Sequence, residues 1–457
     1  MTGELLRRIA EEMPAARIER DLWRAGRRRR RNRRWGYAAL AVAVLAAGVA
    51  LPEWASSRRA AHEPADRPPA IPSRVFRPYL WQAKIGQWPA GPPGPTALVF
   101  YTDATRYFET TGVAVGPDGG YRLIYQAPGE GGGVLSPDGR HYVRPGGLLL
   151  DLTTGDEHLL GGGAVGGVPG AGSPLAWSPD GRELLLGVSN DDAVITYGAD
   201  GRQVNDPEKP DDLVAVDIMT GERRYVAVGI RHSYGRAAWS PDGRRIIVDG
   251  STRSDEADRR VSVLDATTGA PLWTKDTGPR RSIGGRGAWH PGGGRVAVLA
   301  FDGCADPCRD GDEGARRWRV EFLDPATGTT VGEPVPLAGI PGEVVGWRGG
   351  RDVVMTYTPD RDGTRHQTLV AVRPDGTVET LVATPPEVTG IEVADRAVAA
   401  GAFGGPAHRP SPWAAAWWAY AIVALPVSLA GLALLRLRRA PRRRSPGPAA
   451  RPSRERD

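Results

Sequence analysis

Trp177-Ser178-Pro179-Asp180-Gly181-Arg182, followed by Glu183-Leu184-Leu185-Leu186, is the stretch that decides the fold. Proline at the first central position of a turn holds φ near −65°, and glycine accepts the positive φ that ends it. With an apolar strand on each side, the segment is a β-hairpin. The unit recurs: Trp239-Ser240-Pro241-Asp242-Gly243-Arg244 precedes Arg245-Ile246-Ile247-Val248, Trp289-His290-Pro291-Gly292-Gly293 precedes Arg295-Val296-Ala297-Val298, and Trp347-Arg348-Gly349-Gly350 precedes Asp352-Val353-Val354-Met355. Val134-Leu135-Ser136-Pro137-Asp138-Gly139-Arg140 is the same unit without the tryptophan.

A second motif alternates with the first: Asp151-Leu152-Thr153-Thr154-Gly155, Asp217-Ile218-Met219-Thr220-Gly221, Asp265-Ala266-Thr267-Thr268-Gly269 and Asp324-Pro325-Ala326-Thr327-Gly328, each after an apolar strand. Two hairpins in each unit of about 40–60 residues make four strands, the period of a propeller blade. Residues 97–403 therefore predict an all-β, six-bladed β-propeller of four-stranded blades, with seven blades as the alternative. Val113-Ala114-Val115-Gly116-Pro117-Asp118-Gly119 matches Val370-Ala371-Val372-Arg373-Pro374-Asp375-Gly376, the second hairpin of a blade, but lacks a first hairpin upstream. Strand-like sequence in 388–403 makes good the shortfall, so the first and last segments share one blade. That closure removes exposed sheet edges and brings both linkers to one region.

These residues resemble the TolB-like and WD40-like β-propeller repeats, whose blades carry the same turn followed by Asp-x-x-x-Gly. The TolB-like comparison is nearer, because the Gly-His and Trp-Asp dipeptides of WD40 blades are missing. Leu264-Asp265-Ala266-Thr267-Thr268-Gly269-Ala270-Pro271-Leu272-Trp273 also resembles the quinoprotein propeller repeat, which would imply a quinone-dependent enzyme; the other units lack the trailing tryptophan.

Charge is distributed in a way that speaks of topology. The chain of 457 residues carries +6 overall, yet residues 1–34 alone carry +7 and residues 436–457 another +7, leaving −8 between. A nucleic-acid binder puts positive charge on a folded face; here it stands in two tails beside apolar runs. Gly36–Leu51 is uncharged and follows seven arginines within 27–34; Ala414–Leu435 is uncharged and precedes Arg436, Arg438, Arg439, Arg442, Arg443 and Arg444. About 20 helical residues span the roughly 30 Å bilayer core, and arginines stay cytoplasmic. The predicted order is a basic cytoplasmic head (1–34), a transmembrane α-helix (35–55), a Pro-rich extracytoplasmic linker (56–96), the propeller (97–403), a linker (404–412), a second transmembrane α-helix (413–435) and a basic cytoplasmic tail (436–457). A cleaved signal peptide is the alternative for the first span. The near-absence of lysine, with only Lys84, Lys209 and Lys275, reads as GC-rich bacterial codon bias, and the layout resembles membrane proteins of such bacteria associated with extracytoplasmic-function sigma factors.

Candidate site residues are few. Trp177, Trp239, Trp289 and Trp347 occupy one repeat position and read as packing between blades. Asp138, Gly139, Asp180, Gly181, Asp242 and Gly243 read as turn formers. Cys304 and Cys308, the only cysteines, read as a disulfide closing a small loop outside the cytoplasm; two soft ligands without a nearby histidine do not make a zinc site. The acidic loops 191–212, 249–258 and 302–313 match no calcium-loop spacing. There is no Gly-x-Ser-x-Gly elbow, phosphate loop or His-Glu-x-x-His, so the sequence predicts no catalytic residue, cofactor or metal. It predicts a non-enzymatic module, partnered by the lipid bilayer and by a protein or small-molecule ligand at the propeller face, with a cytoplasmic partner for the head as a further option. A quinoprotein-like or hydrolytic enzyme and a structural envelope scaffold are the alternatives.

Overall fold

In the computed structural model, every repeat folds as a four-stranded antiparallel sheet read in chain order. The second blade is Val134–Leu135, His141–Arg144, Leu148–Asp151 and Glu157–Leu159; the third is Ser173–Trp177, Glu183–Val188, Asp212–Asp217 and Arg223–Ala227. The fourth is Ala237–Trp239, Arg245–Ser251, Arg259–Asp265 and Pro271–Asp276; the fifth is Arg281–Ile283, Val296–Asp302, Arg317–Leu323 and Val335–Leu337; the sixth is Ile340–Arg348, Asp352–Thr358, Thr368–Val372 and Val378–Val382. The first blade takes Leu98–Thr102, Thr111–Val115 and Tyr121–Ile124 from the start of the chain and Val388–Val393 from its end. Leu98 pairs with Val393 and Phe100 with Ile391, so the two ends of the propeller clasp each other through backbone hydrogen bonds. The ring is a six-bladed β-propeller.

The structure describes residues 68–416 apart from 88–89, 103–110, 125–131, 161–171, 189–195, 198–202, 205–211, 228–235, 252–258, 305–315 and 360–365, with helical residues 419, 420, 422, 425, 426, 429 and 430 beyond. The predicted head 1–34, first span 35–55 and tail 436–457 lie outside the described residues. Among the described residues no helix is long and apolar enough to cross a membrane.

The first and last segments share one blade, as the sequence predicts. Of 388–403 the strand takes Val388–Val393, and Asp395–Ala399 is a short helix. Alanines at 394, 397, 399 and 400 favour helix, Asp395 lies in its first turn, and Gly401 at φ 63° follows it. One sequence expectation is corrected. The Pro-rich segment 56–96, expected as a spacer, is from residue 68 onward a strap bound to the ring. Ile71, Val75 and Ala83 are buried, because the backbone of Ser73 and Val75 pairs with Ala383 beside the sixth blade and that of Ala83 and Ile85 pairs with Leu123 in the first. The segment 404–416 runs beside it, with bridges Pro72↔Gly405 and Gln82↔Ala415.

Candidate functional site

The repeated turns show why the motif has its spelling. Ser178 donates its hydroxyl to Asp180 at 2.6 Å, the Arg182 amide donates to the same carboxylate at 3.0 Å, and the Glu183 amide donates to the Ser178 hydroxyl oxygen at 2.8 Å. Ser136 with Asp138, and Ser240 with Asp242, repeat the pattern at 2.7 and 2.6 Å. Gly139, Gly181 and Gly243 close these turns at φ 73°, 78° and 69°. The second motif is an aspartate turn: Asp217 accepts from the amides of Met219 and Thr220 at 2.9 and 3.0 Å, and from the Arg182 guanidinium at 2.7 Å. The Thr220 amide first, then Arg182, holds its carboxyl down at about 2. Hydrogen bonds likewise lower Asp180 and Asp242, with Ser178 and Ser240 respectively the main donors.

Each repeat tryptophan is buried in a cluster that joins its own blade to the preceding one. Trp177 packs with Val134 and Val143, Trp239 with Ala176 and Leu185, Trp289 with Ile247 and Val263, and Trp347 with Ala297 and Phe322. Three indole N–H groups donate to carbonyls of that blade: Trp177 to Val134 at 3.5 Å, Trp289 to Ala238 at 3.1 Å and Trp347 to Gly287 at 3.1 Å. Leu135, where the second blade lacks the tryptophan, packs instead among the first-blade residues Leu98 and Phe100. Trp273, the mark of the quinoprotein-like unit, donates to the Pro325 carbonyl of the fifth blade at 2.8 Å. Cys304 is disulfide-bonded; Cys308 lies outside the described residues.

Chemistry gathers where the first strands of the blades meet, and sequence reasoning missed it. Arg286, with a side chain 2% exposed, bonds the Glu392 carboxylate, lies 3.3 Å from Asp395 and donates to the Val393 carbonyl at 3.0 Å. Glu343 of the sixth blade accepts from the Arg286 amide at 2.9 Å. Burial pushes the Glu392 carboxyl up against the pull of Arg286, and enclosure by the ring wall raises Asp395 as well, although a third of its side chain stays open to solvent. Arg236 repeats the device one blade earlier: its guanidinium donates to Ile283 O at 3.2 Å in the fifth blade and to Gly342 O at 3.0 Å in the sixth. Contact between first strands two blades apart requires that they line the ring's centre. Buried Asp249 accepts from the amides of Arg236 at 2.9 Å and Ile283 at 3.2 Å, while burial raises its carboxyl. The legible signal was an arginine three residues before the repeat tryptophan in two successive units.

The helix Asp395–Ala399 covers one end of this centre. The Arg396 amide donates to Pro137 O at 3.0 Å and its guanidinium to Asp180 O at 3.2 Å, both in first-hairpin turns, while Val398 packs over Gly346 of the sixth blade. Alternating strand direction puts every first-hairpin and second-hairpin turn on that same face and sends the connections between hairpins and between blades to the other face. Those connections include Cys304 and the two-stranded ribbon of Thr196–Tyr197 with Gln203–Val204. Among the described residues no group of His, Cys, Asp and Glu could hold a metal ion.

The ring is similar in fold to TolB from Acinetobacter baumannii (16% identity over 62% of this chain and 63% of that one, TM-score 0.41), so the match spans less than two thirds of TolB's length. An oligogalacturonate lyase in complex with manganese (16%, 67% and 77%, TM-score 0.40) and acylaminoacyl peptidase from Pyrococcus horikoshii (13%, 62% and 39%, TM-score 0.31) are similar as well. Similarities at this level bear on no activity. No family model and no curated protein matches the chain.

Proposed function

We propose that this chain is a membrane-anchored β-propeller that binds a protein or small-molecule partner outside the cytoplasm and does no chemistry on it. One observation carries the anchoring: the strap that follows the first apolar run lies beside the start of the second, with Ala83 donating to Ala414 O at 2.9 Å and Ala416 to Trp81 O at 2.7 Å. Two anchors in one membrane need adjacent departure points, and arginines flank both runs on their far sides. Partner binding belongs to the long-loop face, because the opposite face is made of tight repeat turns and is crossed by the Asp395–Ala399 helix. Loops on a rigid scaffold are where specificity resides, and those here are rich in acid: residues 189–211 hold six acidic and two basic side chains. The tails hold the ring at the membrane or relay occupancy inward.

The test is labelling in intact cells of full chains carrying one added cysteine. Thr364→Cys, which in sequence lies between the strands Asp352–Thr358 and Thr368–Val372, should react with a membrane-impermeant maleimide, whereas Thr2→Cys should react only after permeabilisation, and both proteins should resist alkaline carbonate extraction. The reverse labelling, or release by carbonate, would overturn the reading.

A further inference from the structure

Among the described residues, exposed large apolar side chains on the ring are scattered singly, except in one place. Leu159, Met219, Tyr225 and Leu272 stand apart on the second, third and fourth blades, whereas Tyr79, Leu80, Trp81 and Trp413 (37, 53, 37 and 58% exposed) gather on the two straps at the edge of the first blade. Tyr79 and Trp81 stack at 5.0 Å with an interplanar angle of 5°, and the Trp81 indole donates to Pro412 O at 3.2 Å. Segments 331 residues apart thereby form one surface. Its backing is rigid: buried Gln82 donates to Tyr121 O at 2.8 Å and Ala414 O at 3.0 Å, and Ala83, Ala90 and Ala414 pack together beneath. The rings are held outward on a fixed frame.

We propose that this patch rests in the interfacial layer of the bilayer and seats the first-blade edge directly on the membrane. The inference rests on the anchored reading above. Three observations name lipid as the occupant. Trp413 is the residue before the uncharged run that begins at Ala414, whose described helical residues Ile422, Leu425 and Leu429 are also exposed; helical residues begin by Ala419, and the short chain from Trp413 to it reaches at most about 20 Å, so the patch stays near the point of membrane entry. Tryptophan and tyrosine, apolar bodies with a polar edge, favour that depth. The straps are also cationic: residues 68–90 and 404–416 contain no Asp or Glu but hold Arg74, Arg77, Lys84 and Arg409, in a chain whose middle is acidic. Such a surface is drawn to anionic headgroups.

The test uses the full chain in vesicles of phosphatidylcholine and phosphatidylglycerol, with an environment-sensitive fluorophore on Leu80→Cys or, as reference, on Met219→Cys in the third blade. Headgroup-proximal spin-labelled lipid should quench most of the Leu80 signal and little of the Met219 signal, and the Leu80 emission should shift to the blue. Equal emission and quenching at both sites, in protein that still floats with vesicles and resists carbonate, would overturn the seat while leaving the anchors intact. Protein that fails to stay with the vesicles would instead sink the anchored reading, and the seat with it.

Discussion

The first and fourth blades have the same four strands and opposite problems. The fourth is built from consecutive sequence, 237–276, so each of its strands follows the last along the chain, and its last strand is left largely open with Leu272 53% exposed. The first is built from the two ends of the ring, and no covalent turn joins Val388–Val393 to Leu98–Thr102. Its last strand is covered: Leu123 donates to Ala83 O and accepts from Ile85 N, and the Tyr121 hydroxyl, raised to about 12 by burial, accepts from the Phe76 amide at 3.1 Å and donates to His408 O at 3.2 Å. The strap also pairs with Ala383, so it crosses the junction between the sixth and first blades. Where continuity does not supply closure, the molecule adds a second clasp of backbone pairing and, at the centre, the Arg286 ion cluster.

The comparison can be broken most strongly at that cluster. Arg286→Met leaves Glu392 and Asp395 without their shared cation and touches nothing in the fourth blade. Removing one partner of a buried pair costs about 3–5 kcal/mol, measurable by denaturant unfolding. Without that cation both carboxyls rise further, and because Glu392 already stands at about 8 in the intact ring, the deficit should be widest above that pH and narrow as pH falls toward it; a deficit that is absent, or grows on acidification, contradicts the assignment. A smaller effect sharpens the contrast between turns of identical shape. A Cβ on Gly243 meets nothing within 4 Å, whereas one on Gly139 would lie 2.1 Å from the Thr96 carbonyl oxygen at the entry to the first blade. Gly243→Ala should cost only left-handed strain, about 1–2 kcal/mol, and Gly139→Ala more; equal losses in thermal melts would mean the junction yields freely. The smallest effect concerns the aspartate turn shared by the second to fifth blades. Because Asp217 lies at about 2 in the folded chain, below the usual carboxylate value of about 3.9, its contribution is complete above that usual value and is lost as pH falls through 2. Asp217→Asn should flatten the dependence of the unfolding midpoint on pH between those limits; an unchanged slope refutes it.

The blades were legible because each turn is written in neighbouring residues: Ser178, Asp180 and Gly181 satisfy one another's backbone, and a local rule repeats visibly along the sequence. The clasp of the ends was legible only as a shortfall of strands. The ion cluster was not, since the partners of Arg286 stand 57, 106 and 109 residues away, and no local pattern pairs them. The strap was misread for a related reason. Proline-rich composition reports an extended segment, which 68–79 is, but not that Ile71, Val75 and Ala83 find a sheet to pair with.

The clasp between Leu98–Thr102 and Val388–Val393 has a consequence for biogenesis. These strands are separated by about 300 residues, a long loop to close against chain entropy, and the second of them is made last. Throughout synthesis Leu98–Thr102 offers one bare hydrogen-bonding edge, a template for mispairing with another chain. A nascent ring is therefore adhesive until its final strand emerges, and premature termination anywhere before residue 393 leaves a product with a standing tendency to aggregate.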